Sequence, residues 1–220
     1  GPPIKVFWGE RFLHYPFNFL LIPRLFDIAH IVSTALMGVL MTGAAVRMIK
    51  EAHSGIKPDI VLGLSKSLRV YLKLLVIWLV MFGLVSAVFK VLPAIFNFKQ
   101  HIASLVVLGA AFLISILIQA LFIYALPAVI IEERKIWPAI KRSISFCQSA
   151  FLPTLILVAL PTFIYLPMLI LKRKLPLLMS KFFPEAVLIF LGLGIVLSVI
   201  MDCLITSSTT VLFLNHRKDE

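Results

Sequence analysis

Ile56-Lys57-Pro58-Asp59-Ile60, running on to Ser65, Leu72 and Leu75, returns as Ile136-Trp137-Pro138-Ala139-Ile140, running on to Ser145, Leu152 and Leu155. The matches keep one offset of 80 positions with no gap. Six of the 25 aligned positions are identical, where composition alone gives about two or three. Pro58/Pro138 and Ser65/Ser145 count for more than apolar coincidences. Each copy lies between two long apolar stretches. The pattern is a helix, a basic amphipathic elbow and a helix, occurring twice. Both elbows fall on the same side, so the repeat is parallel and not inverted.

Composition supplies the solvent. Hydrophobic residues form 61% of the chain and charged ones 14%, against about half and about a quarter in a soluble domain. Mean hydropathy is +1.06. The expected fold is an all-α polytopic transmembrane bundle. A net charge of +11 would suggest nucleic acid in a soluble chain. Here Lys and Arg gather at helix ends and the aromatics are mostly Phe, so the expected partner is anionic lipid and not nucleic acid. A protein partner or a second copy of the chain stays open. Cys147 and Cys203 have no CxxC or Cys/His spacing, so they read as small apolar fillers. Gly1-Pro2-Pro3 lacks an initiating Met, as after removal of a tag or with an upstream segment missing.

Five spans are clear, at about 26–48, 70–95, 102–131, 150–171 and 185–214. Residues 1–25 mix Trp8, Tyr15 and several Phe with cations and read as interfacial; folded as a sixth helix, they would bring the N-terminus inside. Residues 26–214 form one domain, the repeat covering about 30–95 and 102–171, and 215–220 are a polar tail. Ala35, Gly38, Thr42 and Ala45 mark a close-packing face. Pro58 suits a first helical position. Ile60, Leu64 and Leu68 form the first elbow's stripe, with Lys66 and Arg69 off it. Ile140, Ile144, Cys147 and Phe151 form the second, with Lys141, Arg142, Ser143 and Ser145 facing away. Pro127 kinks the third span, and Pro153, Pro161 and Pro167 bend the fourth. The positive-inside rule puts elbows and C-terminus in the cytoplasm of an inner or plasma membrane, with Lys172-Arg173-Lys174 opposing.

Pro127-Ala128-Val129-Ile130-Ile131-Glu132-Glu133, followed by Pro138-Ala139-Ile140-Lys141-Arg142-Ser143, resembles the membrane domain attached to some bacterial glycerophosphoryl diester phosphodiesterases and related stand-alone membrane proteins. The ending Ser207-Ser208-Thr209-Thr210-Val211-Leu212-Phe213-Leu214-Asn215-His216-Arg217-Lys218 is similar too. The resemblance spans about 30–218. It implies a membrane module, usually of six helices, without the phosphodiesterase chemistry, which belongs to a separate soluble domain.

Asp202 lies near the centre of the last span, where a carboxylate is costly unless paired, protonated or wetted. It reads as a proton or cation relay, or as a packing group hydrogen-bonded to another helix through a residue such as Gln119. Arg24, Asp27 and His30 form an i, i+3, i+6 ladder that suits an interfacial ion pair; a metal there would need further ligands. Lys66, Arg69, Lys141 and Arg142 are candidates for clasping lipid headgroups, or a plain topology signal. Glu132 and Glu133 beside Arg134 and Lys135 read as solvated ion pairs. No GxSxG, HExxH, Walker or dinucleotide motif occurs, so no catalytic, cofactor or metal residues are assigned. The expected function is non-catalytic: a scaffold or accessory membrane protein meeting lipid or a partner. A transporter with Asp202 in its pathway is the alternative.

Overall fold

The computed structural model describes residues 21–96, 101–173 and 186–218. Regular structure there is helical: α1 (Leu21–Ser33), a π-helical turn (Thr34–Gly38), α2 (Val39–His53), α3 (Ile60–Ile95), α4 (His101–Phe122), α5 (Ala125–Ile131), α6 (Ile136–Ser149), α7 (Phe151–Arg173) and α8 (Ala186–Lys218). Four stretches are long and apolar enough to cross a membrane: Leu25–His53, Ile60–Ile95, Val106–Ile131 and Leu188–His216. The bent pair α6–α7 makes a fifth if it crosses as one broken span. These helices mark the chain as an integral membrane protein. Most of the interfacial segment 1–25, and the link at 175–184, lie outside the described residues.

The two copies of the repeat fold differently. In the first, no separate elbow forms: α3 runs unbroken from Ile60 to Ile95. In the second, α6 and α7 meet at 100°. The break comes where Pro153 stands in the register of Lys73. Proline has no N–H for the carbonyl four residues back and its ring clashes there; Lys73 has neither defect. The helix starts differ for a similar reason. Asp59 caps α3, its Oδ1 accepting from the Val61 and Leu62 N–H groups at 2.8 and 3.2 Å, so Pro58 lies ahead of the helix and not at its first position. Ala139 offers no such cap, and α6 begins a turn earlier, with Pro138 inside it.

Two compact units divide the chain: 1–34 with 163–203, and 35–162 with 204–220. In the second, α2 and α3 pack through small residues. Gly43 lies so close to α3 that a Cβ there would stand 2.8 Å from Ser67 Oγ and 2.9 Å from Leu74 Cδ1. The packing face of α3 is therefore Gly63, Ser67, Leu74 and Ile77. The expected stripe of Ile60 and Leu68 is exposed instead, at 62% and 64%. On α2 the buried face, Val39, Gly43, Ala44 and Val46, is rotated from the expected one, whose members are only half-buried. In lipid, small residues gain close backbone approach while large apolar side chains lose nothing by facing outward. Leu72, Leu79, Leu113, Leu117 and Ile156 accordingly stay outside.

The core of this unit centres on Tyr124, whose ring packs tilted against Phe146 (centroids 4.3 Å apart, planes at 48°) and whose hydroxyl bonds Thr154 Oγ1 at 2.8 Å. Phe213 of α8 packs on Phe146 at 5.3 Å. The third span is interrupted at Ile123–Tyr124, just before Pro127, where the proline leaves a carbonyl without its usual donor. Ser143 bridges that break. Its hydroxyl donates to the Leu121 carbonyl at 2.6 Å and accepts from the Tyr124 N–H at 3.2 Å. Ser143 is thus fully buried and not outward-facing; the interrupted helix needs a polar partner there. Phe151 of the expected stripe is exposed. Cys147 is buried and Cys203 exposed, both as free thiols.

In the first unit, Phe26 stacks on His30 along α1, with ring centroids 6.0 Å apart and planes 7° from parallel. Leu191 of α8 is buried there.

Candidate functional site

The end of α2 sets up the site. Gly55 takes φ +73°, a backbone state open to glycine without strain. The reversal lets the Ile56 N–H reach the Glu51 carbonyl at 2.9 Å and the Gly55 N–H reach Ala52 at 3.1 Å, a Schellman closure. The chain turns back at once into the Asp59 cap, so α3 returns along α2. Arg47 of α2 then faces Lys66, Arg69 and Lys73 of α3. These three stand at i, i+3 and i+7, on one side of their helix.

Between these helices and the end of α5 lies a cavity of about 310 Å³ lined by Arg47, Lys66, Ser67, Arg69, Val70, Lys73, Val129, Ile130 and Glu133. Four cations face one carboxylate. Lys50 Nζ donates to the Ile131 carbonyl at 3.1 Å, tying α2 to the last turn of α5. Arg47 Nε lies 3.0 Å from Glu51 Oε1, an ion pair whose angle leaves that Nε without a hydrogen bond. Glu51 is itself buried, at 8% exposure, and it partly offsets the pocket's positive charge.

Ser67 is the unusual lining residue. It is 2% exposed and its hydroxyl has no hydrogen-bond partner. Leaving such a group unsatisfied costs about 1–3 kcal/mol. The other buried Ser and Thr side chains among the described residues are satisfied. Ser115, Thr154, Thr209 and Thr210 donate to the carbonyl four residues back, and Ser143 donates across to Leu121.

The turn after α5 is held from both sides. Glu132 pairs with Arg134, and Arg142 Nε lies 3.7 Å from Glu132 Oε1. Glu132 is therefore shielded and not the solvated group expected. Glu133, next to it, has φ +54°, a left-handed state that costs a non-glycine residue on the order of 1 kcal/mol.

The expected residues separate accordingly. Lys66 and Arg69 line the cavity. Arg142 sits against Glu132 and Lys141 is exposed; neither lines it. Arg47, Lys73 and Ser67 join the site without having been singled out, although the spacing of Lys73 from Lys66 and Arg69 already placed it on their side. Asp202 is exposed on α8 and its carboxylate interacts electrostatically with His30 of α1, within the first unit. Gln119 is half-buried on α4, in the second unit. Asp27 is exposed on α1, and the Arg24 side chain lies outside the described atoms. Protein-family models, curated proteins and solved structures contain no match to this chain.

Proposed function

We propose that the chain is a non-catalytic membrane module, a scaffold or accessory subunit, that holds anionic lipid headgroups in the basic pocket. The observation that carries this is the convergence of Arg47, Lys66, Arg69 and Lys73 on one cavity, with Glu133 in its lining and Glu51 paired to Arg47. Depth supports it. Residues 74–89 of α3 carry no charge and amount to roughly 24 Å of helix. With Lys73 and Lys90 snorkelling outward, this run matches a hydrocarbon core of about 30 Å. Lys66 and Arg69 then stand in the headgroup layer. The cation-rich side is the cytoplasmic face of an inner or plasma membrane, and the module belongs with the membrane domains of glycerophosphoryl diester phosphodiesterases that the sequence resembles. Purified in mild detergent, the protein should retain anionic phospholipid above its share of the source membrane, read by lipid mass spectrometry. Retention in bulk proportion would sink this reading.

The Asp202–His30 interaction favours a second reading, a proton or cation path through the first unit. Asp202→Asn should then abolish acid-driven proton entry into proteoliposomes, read by an entrapped pH dye, without loss of fold. A wild-type protein that moves no protons removes it.

A further inference from the structure

We infer that two copies of the chain associate in parallel through the outer face of α3, which carries a heptad seam from Val61 to Phe89. This goes beyond the headgroup reading and does not depend on what the pocket holds. Val61, Leu68, Leu75, Phe82 and Phe89 recur every seventh residue, at d. Ser65, Leu72, Leu79 and Ser86 alternate with them, at a. Such spacing, sustained over about four heptads, is that of a coiled-coil seam. The seam faces away from the unit's own core. The buried residues of α3, Gly63, Ser67, Leu74 and Ile77, all fall at c and f, on the other side of the helix. Val61, Leu68 and Leu72 are instead 78%, 64% and 73% exposed. Leu75 and Ser86 are half-buried, and the remaining seam positions are exposed.

Lipid alone does not account for this face. With Lys73 at the edge of the hydrocarbon, Val61 stands roughly 18 Å further out along the same straight helix. The polar layer is about 5–8 Å deep on each side, and a tilt of 40° still leaves Val61 about 14 Å out. The outer end of the seam is therefore in water, where a contiguous row of exposed apolar side chains marks an interaction surface. Orientation, polar pairing, charge and area identify a second copy as the occupant. Membrane insertion gives every copy the same direction, so two α3 helices meet in parallel and at equal depth. In register, a meets a and d meets d. Ser65 and Ser86 then meet their own counterparts, hydroxyl to hydroxyl, whereas a shifted register sets them against apolar side chains. Between Val61 and Phe89 the one cation flanking the seam is Arg69, at e. Across a parallel seam e meets g, where α3 holds Leu64, Tyr71, Trp78 and Val85, so no cation faces a cation. The apolar seam side chains expose on the order of 600 Å² per copy, most of the roughly 800 Å² per partner of a standard interface.

The test uses the full chain in liposomes at high lipid-to-protein ratio. Cys203→Ser first removes the exposed thiol. In that background Ser65→Cys should form a disulfide-linked homodimer on oxidation with copper phenanthroline, and Ala52→Cys, at an exposed position on α2, should not. Leu68→Glu changes an exposed side chain, so the fold should survive. It removes one buried leucine per copy from the pair and should raise the dimer dissociation constant about 100-fold, read by single-molecule photobleaching. Leu68→Glu mixed with Leu68→Lys should restore pairing as a heterodimer, because d meets d. A wild type that is monomeric in liposomes overturns the proposal. A dimer that withstands Leu68→Glu is built on another face and overturns the seam. Mixed Glu and Lys variants that fail to pair overturn the parallel register.

Discussion

Replacing Lys66, Arg69 and Lys73 together by Gln should lower affinity for anionic phospholipid roughly 100-fold. Each cation near a charged membrane surface contributes about 1 kcal/mol, and 1.4 kcal/mol is a factor of ten. The three residues lie on the exposed or half-buried side of α3, and glutamine keeps helix propensity close to that of lysine and arginine, so the fold should survive. Flotation with vesicles is a poor readout for a protein already in the membrane; the measurement is lipid retained through purification and rebound in titration. Lys141→Gln with Lys57→Gln removes two exposed cations that do not line the cavity and should leave retention nearly unchanged. If both sets lower retention equally, diffuse surface charge accounts for binding and the pocket has no special part. Salt discriminates further, since a diffuse surface effect is screened beyond a Debye length of about 8 Å at physiological ionic strength.

The second large effect is expected at Gly43. A leucine there must place its Cβ 2.8 Å from Ser67 Oγ and 3.2 Å from Ser67 Cβ. The Ser67 Cβ is fixed to the α3 backbone and cannot swing aside. Leu74, also within 2.9 Å, is fully buried. The helices must part along their closest approach, and overpacking of this kind costs about 3 kcal/mol at the upper end of its usual range. Gly43→Leu should therefore lower the thermal unfolding midpoint in detergent and open the pocket wall that Ser67 forms. Gly109, around which a Cβ would meet nothing within 4 Å, is the control: Gly109→Ala should be indistinguishable from wild type. Equal behaviour of the two variants would mean that α2 and α3 do not pack as described.

Much of the architecture was legible in the residues. Apolar runs of more than twenty residues have few stable forms in lipid, since every backbone polar group must be satisfied within the segment. The helices and their approximate limits follow from that. The positions that the sequence reading placed on the wrong face share one cause. Amphipathic periodicity assumes that large apolar residues point inward, which holds when water is the outside solvent. At α3 the close approach of α2 admits only small residues, so Gly63 and Ser67 face in and Leu68 faces out. Ser143 shows the same failure in polar form: a hydroxyl read as solvent-facing was required in the core to bridge the carbonyl and N–H left by the break before Pro127.

The repeat carries the same division. Its 80-residue offset was visible in six identities, yet the two stretches do not fold alike. Whether each unit turns or runs straight hung on single residues within it. Lys73 lets α3 continue and Pro153 stops α6; Asp59 sets the start of one helix and Ala139 leaves the other to begin a turn earlier. These local differences give the first copy a straight basic helix and the second a corner.

The sequence by itself thus determined the helical class, the membrane as solvent and the cations available at helix ends, because those depend on composition and on order along the chain. Only the tertiary structure decided which cations meet. Arg47 and Lys73 are separated by a reversal at Gly55 and a cap at Asp59, and they share a cavity because that tight turn returns α3 along α2. A binding site depends on convergence in space, and side chains brought together across a turn leave no periodic mark in the chain.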